Sequence, residues 1–543
     1  MKRVAAILLV CAVLLSPALQ TSAEEIAVST DQGEMNLLRN QGMHYVRGIG
    51  MKAQPPQSFL YENESGGLTL VEFVSKEKGV TVAEFDSDLN FLNTRTLPTP
   101  DCYSWAGFCA GEKYNFVIYC ISKATFCFDQ YSKDWQLLKR QTYTPGNTSS
   151  VVDSGFDVAE GGGSLYIVTN HYMSVGHQAN MRLQLDPETL AVKVEQSGVD
   201  TYDGYVSHSY VPEVVCAGGT VYTFDRVDSI PGPGLFVTSF GGGLGKGSMK
   251  TVYPMGRVDW GNLGNVIPVG STYLAAFNYA PSEGINSDNT VTDAYLSLGG
   301  TTTRVTTTGQ VGTPYVAKID DTTGFIMWNP DLYNTVDPQD DLYYAKYTIS
   351  GGTVTVGEVR LAPGHYLSDC EPIAYRGGIV WYSICPKANE AYAKNEITFH
   401  CIEADGTVTS KIIHHLVKVD AVAPTVYKEG TTEGVRCDLC QEWFEEPETV
   451  PCLEIEPGRI FVNKYGYYEV EIHSRREDPF QLFIGYYDED GRMFSRQVIP
   501  CEKNKNTMWW IRIYRFDDVK TIRAMFTDLE GRPLCDVTEW TAE

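Results

Sequence analysis

The chain has 543 residues, 43% apolar and 20% charged, a globular balance that excludes a disordered protein and is too long for one ordinary domain. Its formal net charge of −25 falls to −27 once the cations of a leader carrying Lys2 and Arg3 are removed. No basic stripe interrupts this acidity, so nucleic acid and anionic lipid surfaces are excluded as partners.

Residues 1–23 read as a secretory signal peptide: Lys2 and Arg3 start it, Val4 to Leu15 form the apolar run, and Thr21-Ser22-Ala23 form a small-residue cleavage site. Cys11 falls inside the apolar run, too early to be a lipoprotein cysteine. No later stretch approaches the ~18 apolar residues a membrane span needs. The mature protein is expected to be secreted or on a bacterial cell surface, and monomeric. Of the 14 cysteines, Cys11 leaves with the leader, so an odd number remains. Most sit in apolar runs, such as Phe126-Cys127-Phe128 and Val215-Cys216-Ala217, and read as small buried hydrophobes rather than a disulfide framework.

From about residue 58 to 416 one pattern repeats: a short strand, a Gly-rich turn, a strongly apolar strand, a variable loop, then a hairpin with a polar tip. The turn and second strand begin at Gly66, Gly111, Gly162, Gly218, Gly270, Thr322 and Gly377, at intervals of about 45 to 56 residues. Asp86-Ser87-Asp88, Asp186-Pro187-Glu188, Ser350-Gly351-Gly352 and Asp405-Gly406 supply the residues that the outer hairpin turns require. Four strands per unit and about seven units predict a β-propeller over residues 24–418, in which stacked sheets cover faces that none could bury alone. A β-solenoid or a pair of sandwiches is the competing architecture. Met43 to Gly50 is a candidate closing strand, unless the last unit is complete by itself.

Residues 419–455 form a Cys-containing linker with Cys437-x-x-Cys440 and Cys452. Residues 456–543 alternate in five or six short runs, with hairpin signals at Asp490-Gly491 and Glu530-Gly531, and predict a small antiparallel β-sandwich. The fold class is thus all-β throughout.

Three stretches carry resemblances. His177-Gln178, Val206-Ser207-His208-Ser209 and Leu367-Ser368-Asp369-Cys370-Glu371-Pro372 resemble segments of uncharacterised secreted β-propeller proteins of Firmicutes. Asp225-Arg226-Val227-Asp228 departs from the His-Gly-Asp-Ala-type loop of that group. Residues 419–452, with Thr432-Glu433-Gly434 before the cysteine pair, are similar to a degenerate copy of a Cys-containing repeat of Firmicute surface proteins, with Val426 where a cysteine usually stands. Residues 466–540, through Tyr487-Asp488-Glu489-Asp490-Gly491-Arg492-Met493, resemble β-sandwich accessory modules of clostridial extracellular proteins. The resemblances imply location and architecture, and no activity.

In a propeller, the connections between blades and the second-to-third-strand loops emerge on one face. Here these loops read as long: Asn170 to Asn180, Asp225 to Gly234, Tyr279 to Asn289, Asn329 to Asp341 and Pro386 to Asn395. They predict a polar cup with aromatic walls. Asp157, Glu213, Asn265 and Glu371 fall on strands nearest the axis and read either as ligand contacts or as solvated channel lining. The predicted ligand-binding residues are His171, Tyr172, His177, Gln178, His208, Glu213, Asp225, Asp228, Asp369 and Glu371.

No catalytic residue, metal or cofactor is predicted. Gly-x-Ser-x-Gly and the Ser-x-Asp-x-Gly-x-Thr-Trp turn are absent from the sequence. His171, His177 and His208 read as loop histidines, and Asp337, Asp340 and Asp341 lack calcium-loop spacing. Cys437, Cys440 and Cys452 offer thiolates without an evident fourth ligand; His414 and His415 belong to the preceding strand, and a disulfide or plain packing is preferred to zinc. The expected function is non-catalytic extracellular recognition of a glycan or protein ligand. The alternatives are a carbohydrate-active hydrolase or lyase using channel carboxylates such as Glu213 and Glu371, or a structural scaffold.

Overall fold

The computed structural model describes residues 56–542 apart from 199–203, 257–260, 281–291, 308–310, 331–340, 366, 387–394, 439 and 503–505. All regular structure among these residues is β, and no helix is long and apolar enough to cross a membrane.

Seven sheets of four antiparallel strands follow one another along the chain, each meandering in sequence order. They form a seven-bladed propeller whose blades span residues 58–97, 104–143, 148–196, 209–254, 263–304, 315–362 and 373–413. The first strands of successive blades approach one another around the axis, and the fourth lie outside: Leu137–Tyr143 of blade 2 is almost wholly exposed.

The second strand of each blade shows why stacking is obligatory. In Asn115–Cys120 every side chain is buried. Val117 and Tyr119 point one way, into a cluster with Val71, Val82 and Trp105 of blades 1 and 2. Phe116, Ile118 and Cys120 point the other way, into a cluster with Phe156, Leu165 and Met181. A strand covered on both faces reads as a continuous apolar run, because both sets of alternating side chains are buried. The turns entering these strands reverse tightly, and Gly219 adopts φ of 77°, where a side chain would be strained.

Blade 7 draws all four strands from residues 373–413, so the last unit is complete by itself; Met43 to Gly50 lies outside the described residues. Side chains join it to blade 1. The Gln57 N–H donates to Asp369 at 2.9 Å, the Tyr382 hydroxyl donates to Ser58 at 2.9 Å, and Phe85 meets Phe399 edge-on at 4.9 Å.

The chain divides into two compact units: the propeller together with Val435–Glu446, and Leu416–Gly434 together with Pro447–Glu543. In the second unit, strands Ile455–Val462, Tyr468–Ser474 and Met508–Arg512 form one sheet. Met493–Cys501, Phe480–Tyr487, Thr521–Thr527 and Thr538–Thr541 form the other. The core holds Val470, Ile472, Leu482, Ile484 and Phe526, the inward set of an antiparallel sandwich. Seven strands replace the five or six expected, since Thr538–Thr541 is too short to announce itself by alternation. The described cysteines are all free thiols.

Candidate functional site

The innermost strands are irregular where they face the axis. Those of blades 2, 4 and 5 shift register at residues 105–107, 210–213 and 263–265. Such bulges re-aim side chains. Glycine permits the close approach they require: a Cβ on Gly264 would lie 1.6 Å from the Pro314 carbonyl oxygen.

Two polar side chains fasten neighbouring blades at this level. Asp157 of blade 3 accepts the Val214 N–H of blade 4 at 2.6 Å and its neighbour's Val158 N–H at 2.7 Å. Asn265 of blade 5 accepts the Val316 N–H at 2.8 Å and donates to the Val316 carbonyl at 3.0 Å. Each satisfies a backbone edge that the ring would otherwise leave unpaired.

Lined by the innermost strands of blades 1 to 4 and the start of blade 7 is a cavity of about 220 Å³. Asp157, Glu213 and Glu371 line it together with Phe59, Phe108 and Phe156, and no Lys, Arg or His is among its described lining residues. Each carboxyl is half-buried. Burial pushes all three up from the usual carboxylate range. For Glu213 the neighbouring Asp157 and Glu371 add to the rise, and Glu213 shares a hydrogen bond with Asp157. Glu371 is pushed up to about 7 by burial and the Asp157 charge, against a hydrogen bond from Asn265 at 3.3 Å. Like charges in a poorly solvated site cannot all ionise together. Glu213, raised by burial and by both neighbouring carboxyls, is the group biased toward its protonated form, the form in which it donates to Asp157, so the cavity combines a carboxyl donor with carboxylate acceptors.

A second group lies between blades 3 and 4, where the second-to-third loops and the inter-blade connection meet. His177 Nε2 is 2.5 Å from Ser207 Oγ, His208 Nδ1 is 3.0 Å from Asp228 Oδ1, and the two rings are 5.3 Å apart. Beneath them Asp225 accepts from Ser209 at 2.5 Å and Asn180 at 3.0 Å, and pairs with buried Arg182 at 3.3 Å. Gln178 donates to the Ser209 carbonyl at 3.0 Å.

The predicted residues thus separate. Glu213 and Glu371 share the cavity, while His177, Gln178, His208, Asp225 and Asp228 share the rim between blades 3 and 4. Two do not face a cup. His171 is fully buried, bonded to Thr148 at 2.8 Å and held neutral by burial, its pKa pushed down to about 4. Asp369 is buried at the seam of blades 7 and 1. Tyr172 is half-buried, its carbonyl accepting from Ser149.

Two loops are shorter than the sequence suggests. Ser164–Met173 and Gln178–Leu185 pair as far as Tyr172 opposite Gln178, and only residues 174–177 lie between the two strands in place of the stretch from Asn170 to Asn180. Between blade 4's second and third strands only residues 228–233 remain. The other three loops lie largely outside the described residues. The expected aromatic wall is built from residues the sequence reading did not name, Phe59, Phe108 and Phe156 in place of Tyr172, although Gly107-Phe108 and Gly155-Phe156, a bulge glycine before an inward aromatic, carried a usable signal. Neither cavity nor rim gathers three metal donors; among the described residues only His414, Cys437 and Cys440 do. Asp337 and Asp340 lie outside the described residues.

No protein-family model matches the chain, and no curated protein matches it. Solved structures similar in fold include a lectin of Burkholderia pseudomallei, at 9% identity over 74% of this chain and 100% of that one, with a TM-score of 0.37. The β-propeller domain of the Trilobed protease of Pyrococcus furiosus is 9% identical over 64% of this chain and 95% of that one, at 0.34. A thermostable family-43 glycoside hydrolase is 14% identical over 51% and 94%, at 0.28. These likenesses concern the propeller fold alone.

Proposed function

We propose that this is an extracellular recognition protein whose central cavity holds one ring of a neutral glycan. The observation that carries this reading is the convergence of three carboxyl groups and an aromatic wall on one cavity with no cation among its described lining residues. Carboxyl donors and acceptors match sugar hydroxyls, and aromatic faces match sugar C–H faces. Sulfated, phosphorylated and uronic-acid ligands are disfavoured by the same three acids. The cavity is below the size of a drug-like site, roughly 300 Å³ or more, so it suits a single ring. Secretion, the Firmicute relationship and attachment through the sandwich belong to the same proposal and rest on the sequence.

Calorimetric titration with a panel of neutral and acidic oligosaccharides tests it. Binding of a neutral sugar that Glu213→Gln and Glu371→Gln each weaken at least tenfold is expected, with no sugar released. A preference for acidic sugars, or binding untouched by both substitutions, refutes it. One observation favours a hydrolase as the second reading: a carboxyl poised near pH 7 at Glu371 has the pKa of a general acid. Reducing-end release abolished by Glu371→Gln would select it.

A further inference from the structure

The Cys437-x-x-Cys440 segment forms the tip of a hairpin between strands Gly434–Cys437 and Trp443–Glu445, with Val435 opposite Glu445 and Arg436 opposite Trp443. The Cys437 N–H donates to the Glu442 carbonyl at 2.9 Å, and the Gln441 N–H donates to the Cys437 carbonyl at 3.0 Å. Gln441 takes φ of 63°, a left-handed residue directly after the second cysteine. That bend turns the Glu442 N–H onto the Cys440 sulfur.

The tip is docked on the chain that leaves blade 7. The Asp438 N–H donates to the His415 carbonyl at 3.0 Å, and His415 Nδ1 lies 2.7 Å from Asp438 Oδ1. This brings the adjacent His414 to the cysteines, with its Nδ1 3.5 Å from Cys440 Sγ and its ring edge-on to Phe444 at 4.8 Å. The three donor atoms of His414, Cys437 and Cys440 lie within 4.8 Å of one another. For a tetrahedral zinc, with Zn–S about 2.3 Å and Zn–N about 2.0–2.1 Å, the S-to-N edge is about 3.5 Å and the S-to-S edge about 3.8 Å. The observed S-to-N separation already matches.

We propose that His414, Cys437 and Cys440 form a zinc site that fastens this hairpin to the end of the propeller. Binding displaces one proton from each thiol to solvent, while neutral His414 donates its Nδ1 lone pair. The two thiolates balance the dication, so the loaded site is neutral. The fourth position is left to water or an external donor. The borderline-soft S₂N set selects zinc over calcium or magnesium, which take oxygen ligands. Both cysteines are buried and His414 is half-buried, so the ion would be shielded on the protein side and reachable at one corner.

Cobalt titration of the full chain, reduced and stripped with chelator, tests the site. One equivalent of Co²⁺ is expected to give the intense visible bands of a tetrahedral centre and thiolate charge transfer, both bleached by one equivalent of Zn²⁺. Cys440→Ser and His414→Gln should each weaken cobalt binding at least tenfold, and Cys501→Ser, in the sandwich, should leave it unchanged. If Cys440→Ser does not fold, His414→Gln is the deciding variant, because the histidine sits at the accessible corner. Reduced protein that gives no tetrahedral spectrum, or gives one that His414→Gln leaves intact, overturns the site. So does a Cys437–Cys440 disulfide in protein purified without reductant from zinc-supplemented medium.

Discussion

Glu371→Gln separates the cost of the cavity's charge from the fold around it. Glu371 stands at about 7 against an ordinary 4.5, and burial is the largest cause. Moving a carboxyl that far corresponds to about 3 kcal/mol of differential interaction between its two forms, and cavity water lowers this to about 2 kcal/mol. The sign follows from proton binding. A folded-state value above the unfolded one means that the folded protein holds its proton more tightly. The stabilisation is therefore complete below about pH 4.5 and is lost as pH rises through 7. Glutamine keeps the shape and the Asn265 contact but has no proton to lose. The variant should match the parent at pH 4 and exceed it by about 2 kcal/mol at pH 8.5, read from urea unfolding of the propeller transition. Equal stability at both pH values, or a variant weaker at pH 8.5, would refute the reading of a poorly solvated acid.

Asn265→Ala leaves the Val316 N–H and carbonyl unpaired, and should cost about 3 kcal/mol in urea unfolding while pushing the Glu371 carboxyl still higher by NMR titration. Arg182→Met strands the buried Asp225 carboxylate and should cost about 3–5 kcal/mol, much of it recovered in the double variant with Asp225→Asn. Gly264→Ala drives a Cβ into the Pro314 carbonyl and should cost at least about 3 kcal/mol, lowering the midpoint of thermal unfolding. His171 and His400, pushed down by burial to about 4 and about 3, should stay neutral in NMR spectra at pH 5.5; the stability they contribute is complete above about 6.5 and falls as acid approaches those values.

The ring was legible because a doubly covered strand has to be apolar on both faces. Each of the seven Gly- or Thr-led segments became the second strand of a blade, from Leu68–Ser75 to Gly378–Pro386. Glu213 was legible as a polar residue on an otherwise apolar inner strand, whereas Glu371, expected on such a strand, lies in the connection just before Ile373–Tyr375. Loop length was harder: nothing local in Asn170 to Asn180 says that Tyr172 pairs with Gln178, because that pairing depends on the partner strand. His171 reads in sequence as a loop residue, but it lies inside Ser164–Met173, a strand covered on both faces, where Thr169, Asn170 and Met173 are buried beside it. The meeting of His414 with Cys440 has no signature at all in sequence spacing, since it follows from where a hairpin docks rather than from what surrounds either residue.

Closure of the ring by side chains has an evolutionary and engineering corollary. Because each blade is a contiguous stretch of chain, none of the seven sheets is divided between distant segments among the described residues, and a break at any connection between blades leaves seven intact sheets. Circularly permuted versions that begin at residue 104 or 263 should therefore assemble the same ring, and duplication or loss of one whole blade is the smallest change of copy number that respects its architecture.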